Sequence, residues 1–189
     1  SDLGGGVRFS FLQGYFDLLC SDLSTFPVAR AVTASSAVPL LFSPVVLRNY
    51  PGCRSGAAAY LKSIDPDRQT VQIRQVIDGL NSYADKENRQ YIHLVDGGIT
   101  DNLGLMAIYE MVEVAGGIRP FITQTAGKPG KQFLLIVVDA STHSQNNIEK
   151  SNQVPSIEDT VNTMTDVQLH RYNAATLDLM RSSVDRWTR

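Results

Sequence analysis

Tyr91-Ile92-His93-Leu94-Val95-Asp96-Gly97-Gly98-Ile99-Thr100-Asp101-Asn102 reads as an apolar strand, a turn and the start of a helix. The strand delivers one carboxylate, Asp96, onto a backbone loosened by two glycines. The helix after Asn102 brings free amides and the positive end of a dipole close by. Two readings of Asp96 stand side by side. Its carboxylate points into a crevice and is available for chemistry, or it caps its own turn.

Outward from this stretch, the pattern alternates strand and helix. Gly4-Gly5-Gly6 is a turn entering a strand over Val7–Phe11; it lacks the Lys-Ser/Thr of a phosphate loop and the Gly-x-Gly-x-x-Gly register. Gly14–Cys20 has the length of a short helix. Ser24-Thr25-Phe26-Pro27 is a helix start, with a hydroxyl to cap it and proline in the first turn. The helix that follows, Val28–Ser36, is rich in Ala, Ser and Val, which suits close packing on a sheet until Pro39 ends it. Leu40–Leu47 is extended, and Pro44 marks it as an edge or irregular strand.

Ala57-Ala58-Ala59-Tyr60 makes a helical turn, and Asp67–Asp85 an amphipathic helix. A helix from Asn102, which caps it, runs through Val112 and closes at Gly116-Gly117. Thr123–Lys131 is a polar loop, and Gln132 opens a second apolar strand that ends at Asp139. Ser141–Gln153 is surface loop and Ser156–Arg186 a long helix. Continuous apolar strands alternating with helices predict a mostly parallel sheet covered on both faces, an α/β layered domain. In such folds the carboxyl ends of the strands carry the site, and Asp96 and Asp139 both fall there.

Bulk properties narrow the function. The chain has 189 residues, 43% hydrophobic and 19% charged, which is globular composition. A net charge of -2 with scattered basic residues gives no electrostatic case for nucleic acid. Cys20 and Cys53 have no metal-ligand spacing and read as small buried hydrophobes, not as a disulfide framework. The longest apolar run, Phe133–Val138, has strand length, short of a membrane span. His93 reads as a hydrogen-bonded core residue, His143 as part of a polar loop and His170 as helical. None has the spacing of a metal pair, so no metal or cofactor is expected. The chain opens without Met on a turn, Ser1–Gly6, which reads as a piece of a longer protein whose targeting signal is not in view.

Two blocks carry a resemblance. Phe26–Val45 contains Ala34-Ser35-Ser36-Ala37-Val38-Pro39-Leu40-Leu41-Phe42-Ser43-Pro44, and Val95–Leu105 contains Asp96-Gly97-Gly98. In this order they resemble the patatin-like phospholipase family, across Asp2 to Leu105. The resemblance implies a three-layer α/β/α fold with a mostly parallel central sheet. It also implies a Ser-Asp dyad that hydrolyses lipid or other carboxylic esters. Asp96 maps to the dyad acid, which without a histidine takes or orients the serine proton itself.

The family's Gly-x-Ser-x-Gly elbow is absent. Gly52-Cys53-Arg54-Ser55-Gly56 has the wrong register, and Ser35 and Ser36 belong to the helix block. Residues 1–189 therefore read as the C-terminal part of one patatin-like domain, incomplete and silent alone. Gly97 and Gly98 shape the turn. A non-catalytic interaction module on the same fold is the alternative. A Ser-His-Asp hydrolase using His143 or His170 is a third option and needs the same elbow. The expected partners are a lipid or ester substrate, a membrane surface and, because a missing strand leaves an open edge, further copies of the chain.

Overall fold

The computed structural model describes residues 1–127, 133–139, 147–150 and 152–188. It is mostly helical, and its sheet is a small antiparallel pair. This corrects the expected three-layer α/β/α architecture with a mostly parallel sheet. The described residues form two compact units, Ser1–Asp101 and Asn102–Arg189.

In the first unit, α1 (Gln13–Leu18) precedes α2 (Val28–Ser35), β1 (Val45–Arg48), α3 (Gly56–Ser63), α4 (Val71–Asn81), β2 (Tyr91–Leu94) and a single turn, α5 (Gly98–Asp101). Helix starts follow local chemistry. Ser55 Oγ accepts from the Ala58 amide and Thr70 Oγ1 from the Ile73 amide. At α2 the expected hydroxyl cap is not used: Pro27 sits at the cap, and Asp22 accepts from Ser24 N in the preceding turn. Nor is α2 buried against a sheet. Only Ala34 is buried, while Val28 and Val32 are exposed.

β1 and β2 pair antiparallel, Val45 opposite Leu94 and Arg48 opposite Tyr91. Along β2 burial alternates, Ile92 and Leu94 inward, Tyr91 and His93 outward. His93 is thus exposed and not a core residue. The other side of β2 meets the N-terminal segment: Asp2 bridges Leu94 and also Val7, closing the Gly4–Gly6 turn. Beyond Val7 the predicted strand does not continue. Val7 packs against α4 where Gly79 leaves room, and a Cβ at Gly79 would collide with it.

An aromatic cluster fills this unit. Phe9 stands edge-on to Tyr15 and Phe16, and Phe11 stacks on Phe26 at 5.7 Å. Leu19, Leu47, Leu80, Ile92 and Leu94 complete the core. Into it is set one charge, Asp2, which is fully buried. Its Oδ2 accepts from Arg89 at 2.6 Å and from the Tyr83 hydroxyl at 3.1 Å, and its Oδ1 from Gly4 N at 3.1 Å. Arg89 also lies over the Tyr83 ring, 4.9 Å from its centroid. Burial, reinforced by Asp2, raises the Tyr83 hydroxyl far above the ordinary phenol range, so it remains a donor.

Cys20 and Cys53 are joined as a disulfide, their Cα atoms 5.5 Å apart. This corrects their reading as buried thiols: Cys20 is half-buried and Cys53 exposed. The bond ties the end of α1 to the loop after β1, beside the Tyr50 N–H to Leu19 C=O bond of 3.0 Å.

The second unit holds α6 (Leu105–Val114), α7 (Ile118–Ala126) and the 31-residue α8 (Ile157–Trp187). Ser156 caps α8 by accepting from Asp159 N. Tyr109 of α6 stacks on Trp187, whose indole donates to Glu113 at 2.9 Å; Arg186 reaches the same oxygen at 2.7 Å. α7 runs through Thr123–Ala126, where a loop is expected from the sequence. The predicted strand is absent from the described 133–139, which has no regular structure.

Two stability predictions follow from the first unit. Cross-linking across 33 residues restricts the unfolded chain, so reduction or Cys20→Ala/Cys53→Ala removes about 3–4 kcal/mol, read as a lower urea midpoint. Arg89→Ala strands the buried Asp2 carboxylate and costs about 3–5 kcal/mol in the same titration. An unchanged midpoint in either case contradicts the assigned role.

Candidate functional site

Asp96 leaves β2 one residue after the buried Val95 and is itself half-buried. Its N–H donates to the Ala37 carbonyl at 2.9 Å, and Gly97 N–H reaches the Ser35 carbonyl at 3.4 Å. The two sequence blocks, distant along the chain, therefore meet at their backbones. Ser35 Oγ lies 3.9 Å from where a Cβ on Gly97 would stand. Ser36 Oγ is turned back on its helix and donates to Val32 O at 3.0 Å.

The Asp96 carboxylate accepts from Gly98 N through Oδ1 at 2.7 Å. That is the self-capping turn, one of the two readings open from the sequence. Oδ2 has no hydrogen bond among the described residues, which leaves half of the carboxylate available. Gly97 and Gly98 shape this turn without left-handed backbone: neither has positive φ. The latitude expected of them is not used. A Cβ at Gly97 would make only an ordinary van der Waals contact with Ser35 Oγ.

Around the turn, Ser1 is held by four hydrogen bonds, one of them accepted by its carbonyl from Val95 N–H at 2.9 Å. Its amino group donates to Val95 O at 2.8 Å; its hydroxyl pairs with Thr100 Oγ1 at 2.7 Å and donates to Gly97 O at 3.3 Å. Asp101, nearly buried on α5, has Arg8 3.9 Å away. Ser1, Thr100, Arg8 and Asp101 were not among the sequence candidates. Asp101 alone left a signal, as a carboxylate inside the apolar-flanked motif.

Asn102 does not cap the next helix. Gly104, in left-handed conformation, precedes α6 with no side-chain cap. Asn102 Nδ2 instead donates to Asn173 Oδ1 of α8 at 3.2 Å, within the second unit. Its capping role is thus overturned, because the chain makes one more turn before the helix begins. Asp139 is exposed, and His170 lies 3.4 Å from Asp166 on the same helix face. His143 lies outside the described residues. Among those described, no three His, Cys, Asp or Glu side chains gather as a metal site, and no helix is long and apolar enough to cross a membrane. No known protein family, curated protein or solved structure matches this chain.

The turn chemistry is separable from charge. Asp96→Asn retains an acceptor for Gly98 N, whereas Asp96→Ala removes it at a cost of about 1 kcal/mol. Thermal unfolding of the two variants should rank alanine below asparagine; equal stability would remove the turn bond from the account.

Proposed function

We propose that Asp96 is the acid member of a Ser-Asp dyad in a lipid acyl hydrolase of the patatin-like class. The dyad serine is supplied by sequence outside residues 1–189. The observation that carries this reading is the meeting of the two motif blocks, Asp96 N–H on Ala37 C=O. A half-buried carboxylate with one oxygen uncommitted suits a group that must accept or orient a serine proton.

A lipid surface as partner has its own support. Residues 23–64 contain no Asp or Glu but carry Arg30, Arg48, Arg54 and Lys62. The same stretch holds the exposed Leu40, Leu41 and Phe42, at 73%, 68% and 62%, directly after the helix that meets Asp96. Exposed apolar side chains within a basic, acid-free segment suit an anionic interface.

A second reading, a non-catalytic interaction module, is favoured by the Oδ1 bond to Gly98 N, which gives Asp96 a purely local role. One experiment separates the two. Hydrolysis of a p-nitrophenyl ester is measured for the natural gene product and its Asp96→Asn variant. The dyad predicts a loss of roughly 10³-fold or more in kcat with the fold intact. An unaltered rate, or no esterase activity in the parent, favours the module. Residues 1–189 alone should show no turnover above buffer.

A further inference from the structure

Antiparallel pairing sets Val46 opposite His93 and Arg48 opposite Tyr91. Residues directly opposite one another project from the same face. That face is the outward one, since Leu47, Ile92 and Leu94, on the other, are buried. The bridge from Asp2 to Leu94, and the Leu3 N–H to His93 C=O bond of 2.9 Å, put Leu3 beside His93 on the same side. One row across the outer face therefore reads Leu3, His93, Val46, and the next Tyr91, Arg48. Leu3 is 55%, Val46 41% and Tyr91 50% exposed. An antiparallel sheet with one face in water ordinarily carries polar residues there.

The chain enters β1 from a turn of similar character. The Leu41 and Phe42 N–H groups both donate to the Val38 carbonyl, at 3.2 and 3.0 Å, closing a turn over 38–42. Within it Leu40 is left-handed, with φ 72°, a conformation that is costly for any residue with a Cβ. Val38, Leu40, Leu41 and Phe42 are all exposed on this turn. A strained turn that displays apolar side chains gains nothing for the isolated fold, and it marks a surface that meets something else.

Charge selects the partner. None of these outward side chains is acidic. Arg30, whose Nη2 reaches the Val46 carbonyl at 3.5 Å, and Arg48 are exposed, and neither forms an ion pair among the described residues. Their guanidinium groups lie over the Phe26 and Tyr50 rings, each 5.3 Å from the centroid. A stacked guanidinium keeps its N–H edge for phosphate oxygens. A second copy meeting this face with its own would set arginine against arginine. Apolar tip, exposed tyrosines and unpaired arginines are the side chains that sit, in turn, among acyl chains, at the headgroup boundary and on lipid phosphates. We propose that the outer face of the β1–β2 pair and the 38–42 turn form one docking surface for an anionic phospholipid bilayer. Leu40, Leu41 and Phe42 enter the acyl boundary, and Arg30 and Arg48 meet the phosphates. This rests on the lipid-surface reading given above and is independent of the dyad.

Vesicle flotation of residues 1–189 and of the natural gene product provides the test. Both should float with vesicles of equal parts phosphatidylcholine and phosphatidylglycerol, and stay behind with phosphatidylcholine alone. Arg30→Gln/Arg48→Gln should weaken binding roughly 30-fold, the effect of removing two basic residues from an anionic surface. Phe42→Cys carrying an environment-sensitive fluorophore should shift to the blue on the anionic vesicles. The same label at Val71→Cys, exposed on α4, should not. Every substituted residue is exposed, so circular dichroism should be unchanged. Asp96→Asn should float as the wild type does, which separates a failure of docking from a failure of the dyad. Four results overturn the proposal: binding indifferent to lipid charge, an unshifted label at position 42, flotation of residues 1–189 but not of the natural gene product, or self-association that Leu40→Ser/Leu41→Ser/Phe42→Ser abolishes.

Discussion

The buried Asp2 carboxylate, clamped by Arg89 and Tyr83, organises the first unit. A charge in a core is stable only when its lone pairs are filled, and three donors fill them. Satisfying Asp2 pulls residues 1–7 onto the outer side of β2 and holds the loop after α4 beside them. The same placement brings Ser1 against Val95 and Gly97. Asp96 is therefore positioned from two directions, by the strand that precedes it and by the segment laid along that strand.

Other long-range ties make the rest of the unit consistent with this. Asn49, buried at the end of β1, donates to the carbonyls of Tyr83 and Arg89, so β1 is fastened to the residues that hold Asp2. The Cys20–Cys53 bond fastens α1 to the loop that leaves β1. What remains loosely covered is α2 and the Leu40–Phe42 segment, whose contacts with the site are through backbone carbonyls at the helix end. Exposed apolar side chains, Leu40, Leu41 and Phe42, thus follow closely after the residues that hold the candidate carboxylate.

Local signals were legible where a short-range rule governs them. The long helix after Ser156, Pro44 preceding an edge strand, and Gly116-Gly117 closing α6 each follow from the chemistry of nearby residues. Asp96 at the end of a strand was legible for the same reason, as was its option of capping its own turn. The errors arose where a residue's role depends on a distant partner. Phe133–Val138 has the composition of a strand, yet a strand exists only when another lies beside it. Val45–Arg48 and Tyr91–Leu94 are close enough in composition to suit either direction, and their antiparallel pairing appears only in space. Cys20 and Cys53 share no motif, and Asn102 finds its partner on α8, 71 residues away.

By itself, the sequence determined which segments could be helical or extended, and that one carboxylate would stand on a glycine turn beside a small-residue helix block. Tertiary structure decided the direction and size of the sheet, the burial of Asp2 and the disulfide. It also decided that Ala37 and Ser35 would be the backbone partners of Asp96 and Gly97. The division has one physical cause. Propensity, capping and turn chemistry act over a few residues, whereas strand pairing and charge burial gain their free energy from groups brought together only by the closure of long loops.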